Sequence, residues 1–94
     1  MERYTDTKSG EELYVDVNTR GKYYYKDRGM NIRHRLDGPA VEWADGGKAW
    51  WVDGKRHRLD GPAIEYANGY KEWWVDGVFI IETNPSGEII ERME

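Results

Sequence analysis

The sequence predicts an all-β fold, an antiparallel meander of stacked 23-residue β-hairpin repeats with about eight short strands. Two observations point there. One segment of the chain recurs almost unchanged, and turn-forming dipeptides interrupt aromatic and β-branched runs at short intervals. A third observation is negative, since no window shows helical periodicity over more than a few residues. The length of 94 residues fits one small domain.

The recurring segment starts at His34 and again at His57, and its two copies end at Gly54 and Gly77. Both copies begin with His-Arg-Leu-Asp-Gly-Pro-Ala. Degenerate copies flank this pair, upstream at an offset of 26 residues and downstream as a strand–turn–strand pattern only. Degenerate end copies are typical caps of a repeat stack. The single domain 1–94 is therefore divided into an N-cap unit at 10–31, full repeats at 32–54 and 55–77, and a C-cap unit at 78–94.

Two turn dipeptides occur in each full repeat. They are Asp45-Gly46 and Asp53-Gly54 in the first repeat, and Asn68-Gly69 and Asp76-Gly77 in the second. Such dipeptides favour two-residue type I′ turns, because both central residues of that turn need a positive φ. A two-residue loop at Asn68-Gly69 predicts that Glu65 pairs with Glu72 and Ile64 with Trp73.

Alternation along the strands then assigns each side chain to one of two faces. The predicted core face holds Val41, Trp43, Trp50 and Val52 in the first repeat and Ile64, Tyr66, Trp73 and Val75 in the second. The opposite, open face is predicted to hold Trp51 and Trp74, with Glu42, Ala49 and Arg58 in one row. The Asp53-Gly54 turn pairs Trp51 with Arg56 as a cation–π contact. Replacing Trp51 by alanine should then cost much less stability than replacing Trp50.

The charge is unevenly distributed. A net charge of −4 divides into −3 for residues 1–19, +5 for 20–58 and −6 for 59–94. A basic middle could attract an anionic ligand, pair with the acidic tail of a second copy, or be ordinary surface charge. The negative total and the short basic zone argue against duplex nucleic acid.

Composition excludes several further classes. The absence of cysteine excludes disulfides and cysteine-based zinc sites. No apolar run is long enough to span a membrane, and the first ten residues are too polar for a signal peptide. A cytoplasmic protein without a membrane partner is expected.

The sequence predicts no enzyme, no cofactor and no metal. His34 and His57 occupy equivalent repeat positions, where a structural hydrogen bond is the simpler explanation. Neither serine lies near a histidine in a triad-like arrangement. Glu65 and Glu72 could imitate a glycosidase pair, but Glu72 is replaced by Ala49 in the other repeat. The glycines form turns and do not open a helix as a phosphate-binding loop does.

Recognition remains as the function. Exposed aromatic rings beside arginines suit a protein interface, or a base stacked on an indole with its phosphate on guanidinium groups. The candidate binding residues are Trp51, Trp74, Arg33, Arg35, Arg56, Arg58, His57 and Glu42. The first hypothesis is a protein partner, the second a small anionic nucleotide, and the third a structural or self-assembling role. A homodimer could form through an edge strand or the acidic tail.

The order Trp43-Ala-Asp-Gly46, Trp50-Trp-Val-Asp-Gly54 and Lys-Arg-His57 resembles the MORN repeat, which is also a 23-residue β-hairpin unit. It is also similar to His-Arg-x-Asp-Gly-Pro-Ala tandem repeats of phage, giant-virus and some bacterial proteins. The resemblance covers about residues 32–77.

The chain departs from the MORN pattern at Arg35 and Arg58, where a glycine usually follows the histidine, and at Pro39 and Pro62. The lipid binding of some MORN proteins is therefore not carried over. The resemblance implies an elongated, curved sheet with a groove that serves as an interaction module. Through the phage proteins it implies a host-interaction or anti-defence protein that inhibits a host protein, or a sponge for a nucleotide immune signal.

Overall fold

A computed structural model describes residues 2–90, which form eleven β-strands and no helix. The strands are β1 (Glu2–Thr5), β2 (Glu12–Asn18), β3 (Gly21–Tyr25), β4 (Val41–Trp43), β5 (Lys48–Ala49), β6 (Trp51–Val52), β7 (Lys55–Arg56), β8 (Ile64–Glu65), β9 (Lys71–Val75), β10 (Val78–Thr83) and β11 (Ile89–Ile90). The predicted all-β antiparallel meander is confirmed, with more strands than expected. The last four residues of the predicted C-cap unit, 91–94, lie outside the described residues.

Nine strands form one antiparallel sheet in the order β1-β2-β3-β4-β5-β8-β9-β10-β11, and β6 pairs with β7 in a second, two-stranded sheet. Strand β1 precedes the predicted N-cap unit and was not expected; it pairs along β2, with Glu2 opposite Val15. The molecule is moderately elongated, with extents of 39 × 27 × 24 Å.

The chain changes hydrogen-bond partners at Trp50, between β5 and β6. Before Trp50, β5 pairs with β4 and β8 in the large sheet. After it, β6 pairs with β7, and the Trp51 carbonyl accepts from the Arg35 N–H at 3.1 Å. The Trp74 carbonyl accepts from the Arg58 N–H at the same distance, 23 residues further on. The first repeat therefore contributes a small second sheet beside the large one, whereas the equivalent segments of the second repeat, in β9 and β10, stay in the large sheet.

Two of the four turn dipeptides form the predicted two-residue turn. Asp53 and Asp76 have φ of 52° and 50°, and the glycines that follow them have φ of 80° and 79°. Positive φ at both central positions is what a type I′ turn requires. The predicted pairing of Trp51 with Arg56 across the first of these turns is confirmed.

The other two dipeptides, Asp45-Gly46 and Asn68-Gly69, lie in three-residue loops. Only their glycines have a positive φ, of 98° and 95°. The Tyr66 N–H donates to the Tyr70 carbonyl at 2.9 Å, so the loop contains Ala67 as well as the dipeptide. A type I turn followed by a left-handed glycine closes such a hairpin. The two-residue loop predicted here is therefore wrong.

One extra loop residue shifts the register, so the strand after the loop presents the opposite set of side chains to the core, while the strand before it keeps its predicted face. Glu65 lies opposite Lys71 and Ile64 opposite Glu72, so the predicted pairings of Glu65 with Glu72 and of Ile64 with Trp73 are wrong. The predicted row of Glu42, Ala49 and Arg58 is wrong as well, because Ala49 is buried opposite Val41.

The core consists of two small clusters of buried side chains. The first contains Leu13, Val15, Tyr24 and Ala40, and the second contains Val41, Ala49 and Ile64. Trp51 packs against both clusters and Trp74 against the second. The predicted places of Val41, Ile64 and Trp43 near the core are confirmed.

The prediction that Trp51 and Trp74 lie on the open face is wrong, because the register shift turns their rings toward the core. Trp50 and Trp73, predicted as core residues, are half-buried and belong to neither cluster. Tyr66 is exposed, and its ring stacks on Trp43 with centroids 6.2 Å apart.

Candidate functional site

The recurring motif forms a loop that is held together by its own arginine. Arg35 Nε donates to Asp37 Oδ1 at 2.6 Å, and Nη1 donates to the Pro39 carbonyl and to Glu42 at 3.2 and 3.3 Å. Arg58 repeats these contacts with Asp60, Pro62 and Glu65 at 2.9, 3.0 and 3.1 Å. We name these segments the first loop (residues 35–42) and the second loop (residues 58–65).

The glycine of each loop makes room for the guanidinium. A Cβ on Gly38 would lie 3.0 Å from Arg35 Cζ, and one on Gly61 would lie 3.0 Å from Arg58 Cζ. A side chain there would crowd the guanidinium and force it to shift within its hydrogen bonds. The alanine after the proline in each loop, Ala40 and Ala63, is fully buried. The motif therefore encodes a self-contained loop, and Arg35, Arg58 and Glu42 are primarily structural residues.

Each histidine binds the turn that lies 19 residues further along the chain. The Asp53 N–H donates to His34 Nδ1 at 3.0 Å, and the Asp76 N–H donates to His57 Nδ1 at 3.0 Å. His34 is buried, and its Nε2 lies 3.0 Å from Glu11 Oε1. Because Nδ1 accepts, Nε2 carries the proton and donates to the carboxylate. This hydrogen bond lowers the pKa of Glu11.

Four of the predicted binding residues form a ladder of alternating guanidinium groups and indole rings, which we name the arginine ladder. Arg33 Cζ lies 5.2 Å from the Trp51 ring centroid, and Arg56 Cζ lies 5.2 Å from Trp51 and 4.8 Å from Trp74. Arg33 also lies 5.7 Å from the Tyr23 ring. The expected contact between Trp51 and Arg56 is thus one step of a longer series, which follows the 23-residue repeat.

The two arginines of the ladder have no ion-pair partner among residues 2–90, although the buried Glu72 carboxylate accepts a hydrogen bond from Nε1 of the ladder's Trp74. Within residues 2–90, neither Arg33 nor Arg56 has an ion pair or a side-chain hydrogen bond. Arg56 Nε is buried without an acceptor, so contacts with the two indoles hold this group. A small recess of about 240 Å³ adjoins the ladder at Arg33, Trp51 and Gly54. Cation–π stacking leaves the N–H donors of a guanidinium available for an anion.

A larger groove of about 890 Å³ lies elsewhere, and we name it the Trp50 groove. Its lining includes Trp50, Val52 and His57, which face it together with parts of the first and second loops. Arg58 Cζ lies 3.8 Å from the Trp50 ring centroid, the shortest such distance among residues 2–90. Trp50 and Trp51 are adjacent in an extended segment, so their rings point to opposite faces. The groove and the ladder are therefore separate surfaces.

The carboxylates considered for catalysis are engaged in structural contacts. Glu72 is buried and accepts hydrogen bonds from the Tyr66 hydroxyl and from Trp74 Nε1, both at 2.8 Å. Glu65 is paired with Arg58. No cluster of three or more His, Asp or Glu residues suited to a metal ion occurs among residues 2–90.

The eight predicted binding residues thus fall into three groups. Arg33, Trp51, Arg56 and Trp74 form the arginine ladder, Arg35, Arg58 and Glu42 hold the loops together, and His57 lines the Trp50 groove. The groove was not predicted, because Trp50 was assigned to the core. Tyr24 and Trp50 align at the 26-residue offset, and their different burial is visible only in the folded chain.

The fold and these surfaces define an all-β hairpin-repeat protein with a cationic aromatic strip. The chain matches no family model, no curated protein and no solved structure. Residues 2–90 contain no helix that could cross a membrane.

Proposed function

We propose that this chain is a non-catalytic binding protein whose arginine ladder binds an acidic segment of a protein partner and inhibits that partner. The observation that carries the proposal is the contrast between two pairs of arginines. Arg35 and Arg58 are each neutralised by two carboxylates, whereas Arg33 and Arg56 stack on indoles and have none. Guanidinium N–H groups without an internal acceptor can donate to a ligand wherever they are accessible, which excludes the buried Arg56 Nε.

The ladder also has the composition of an interface hot spot. Arginine and tryptophan dominate the binding energy of protein interfaces, and rigid rings lose little conformational entropy on binding. A guanidinium held against an indole has less freedom before binding, so a bidentate contact with a carboxylate costs less entropy. Ile32, which is exposed, lies next to Arg33 in the chain and offers an apolar side chain to a partner.

A small anionic nucleotide is the second candidate, and the recess beside Arg33 and Trp51 favours it. A phosphate would fit the unpaired guanidinium, and Tyr25 lines the same recess. Against this candidate, the Trp51 ring already contacts two guanidinium groups, which leaves less of its surface for a stacked base. A protein partner therefore remains the better fit.

The proposed setting comes from the resemblance to phage and MORN-like repeat proteins. It suggests a cytoplasmic host-interaction or anti-defence protein that blocks a host factor. A homodimer through an edge strand is compatible with that setting, because β1 and β11 stand at the two edges of the large sheet.

Binding of a fluorescent peptide of alternating Asp and Glu tests the proposal, with the Asn/Gln peptide as its uncharged counterpart. We expect saturable binding of the acidic peptide that falls at least about tenfold in Arg33→Glu. Arg20→Glu makes the same change of charge at an exposed position on the β2–β3 turn, at the other end of β3. It should bind within about twofold of the unmodified protein.

Equal losses of affinity in both variants would mean that peptide binding depends only on the net charge of the protein, which contradicts a specific ladder site. A panel of linear and cyclic nucleotides is measured in parallel by thermal shift. A rise in Tm with one nucleotide that disappears in Arg33→Glu, without peptide binding, would replace the protein partner by the nucleotide.

A further inference from the structure

The first loop is covered by a turn that belongs to the N-terminal hairpin. This turn, residues 6–10, connects β1 and β2. Asp6 is fully buried, and its Oδ2 accepts the Leu36 N–H at 2.6 Å and the Asp37 N–H at 3.3 Å. Its Oδ1 accepts the N–H groups of Lys8 and Ser9 within the turn at 2.8 and 3.1 Å. One carboxylate thus joins the turn to the first loop.

The first loop binds the turn in return through Asp37. Asp37 Oδ2 accepts the Thr7 N–H and the Thr7 hydroxyl, both at 2.8 Å, and also accepts the Tyr4 hydroxyl. The Tyr4 ring lies over the Arg35 guanidinium and edge-on to the Tyr24 ring. The cover therefore consists of an aspartate, a threonine and a tyrosine from one hairpin.

The second loop has the same internal construction and no cover. The Asp37 side chain is 8% exposed, whereas that of Asp60 is 85% exposed. Leu59, the counterpart of Leu36, is 79% exposed. Within residues 2–90, the N–H groups of Leu59 and Asp60 have no acceptor on another residue.

The packing of the loop arginine on an aromatic ring is also repeated in the two loops. In the first loop, Arg35 Cζ lies 4.2 Å from the Tyr24 centroid, and in the second, Arg58 Cζ lies 3.8 Å from the Trp50 centroid. Tyr24 is buried beneath the N-terminal hairpin, whereas Trp50 opens into the Trp50 groove. Lys8 lines the same groove and lowers the pKa of Asp60, after the larger effect of Arg58.

We infer that the second loop is a binding site for an Asp-Thr turn of a partner protein. The partner's aspartate accepts from the N–H groups of Leu59 and Asp60, and its threonine donates to Asp60. An aromatic side chain of the partner lies over Arg58 in the Trp50 groove. The chain contains two copies of the site and one copy of the turn, and that turn is bound within the chain. This site is separate from the arginine ladder, so either can fail without the other.

The N-terminal hairpin itself supplies a probe of known chemistry. A peptide of residues 2–15 carries Tyr4, Asp6 and Thr7, and Glu2→Cys with Val15→Cys closes it by a disulfide at a paired position. Its hairpin structure is first verified by NMR. The peptide is then titrated into the full ¹⁵N-labelled chain, where the first loop stays occupied because its own hairpin has the higher effective concentration.

We expect saturable downfield shifts of the Leu59 and Asp60 amide signals, as new hydrogen bonds to a carboxylate produce. Asp60→Asn in the chain, or Asp6→Asn in the peptide, should each weaken binding at least about tenfold, because each removes a charge-assisted hydrogen bond. Asp45→Asn serves as the matched control at another exposed turn and should leave the affinity unchanged.

Three results would overturn the inference. The first is an absence of shifts at Leu59 and Asp60 with the folded peptide. The second is unaltered affinity of the Asp6→Asn peptide. The third is a shift of Leu36 and Asp37 instead, which would mean that the peptide only exchanges with the hairpin of the first loop.

Discussion

Asp37 and Asp60 occupy equivalent positions in the two loops and have opposite environments. Burial opposes ionisation of Asp37, but hydrogen bonds from Tyr4, Thr7 and Arg35 outweigh it and hold its pKa well below the ordinary value. Asp60 is exposed, and its contact with Arg58 lowers its pKa. The same residue in the same motif therefore contributes differently to stability, because only one copy is covered.

Asp37→Asn should lower the free energy of unfolding by about 1.5–3 kcal/mol, because charge-assisted hydrogen bonds in a buried place are lost. Asp60→Asn removes an exposed, solvent-screened ion pair and should lower the free energy of unfolding clearly less. Urea unfolding of the two variants measures the difference. Equal losses would mean that the N-terminal hairpin does not stabilise the first loop.

At the level of elements, the strand register set by the loops decides which tryptophan of each adjacent pair packs against the core. Trp51 packs against both buried clusters, and Trp73 belongs to neither. Trp51→Ala should therefore cost about 3–5 kcal/mol and Trp73→Ala clearly less. Denaturant unfolding followed by circular dichroism compares them. A larger loss of stability in Trp73→Ala would contradict this packing and support the face assignment predicted from two-residue loops.

Much of the fold follows from the repeat and its turn dipeptides, but the register does not. Asp53-Gly54 and Asp45-Gly46 are the same dipeptide in turns of different length. Near Asp53-Gly54, the Asp53 N–H binds His34 and the Gly54 N–H binds the Arg33 carbonyl at 2.9 Å. These partners come from a distant part of the chain, and local turn preference does not contain them.

The candidate site was predictable to a similar extent. The contact of Trp51 with Arg56 follows from the two-residue turn between them, and it was predicted. The different ion pairing of Arg33 and Arg35 was not predicted, because both look like exposed arginines in the sequence. Only the folded loop places Arg35 against two carboxylates and leaves Arg33 without one.

At the level of the whole molecule, acid should loosen the N-terminal hairpin. Burial raises the pKa of Asp6, but the N–H donors of Leu36, Lys8, Ser9 and Asp37 lower it more, and the pKa of Asp37 is lowered as well. A lowered pKa in the folded state means that the unfolded chain binds more protons in acid. The stability from these two groups is thus present above about pH 4, the ordinary carboxyl value, and is lost as the pH falls toward their folded values.

Thermal unfolding between pH 7 and pH 2 tests this dependence. The Tm should decline below about pH 4, and the decline should be smaller in Asp37→Asn, which has one titrating group fewer. The same slope in both proteins would assign the acid sensitivity to other carboxylates.

The span of 19 residues between each histidine and the turn that it binds has an evolutionary consequence. Each loop closes on its own arginine, and each histidine reaches into the following turn, so every such contact is internal to a fixed length of chain. Duplication of 23 residues would recreate all of them, whereas an insertion between a histidine and its turn would break that contact. Descendants of this architecture are expected to grow or shrink by whole repeats.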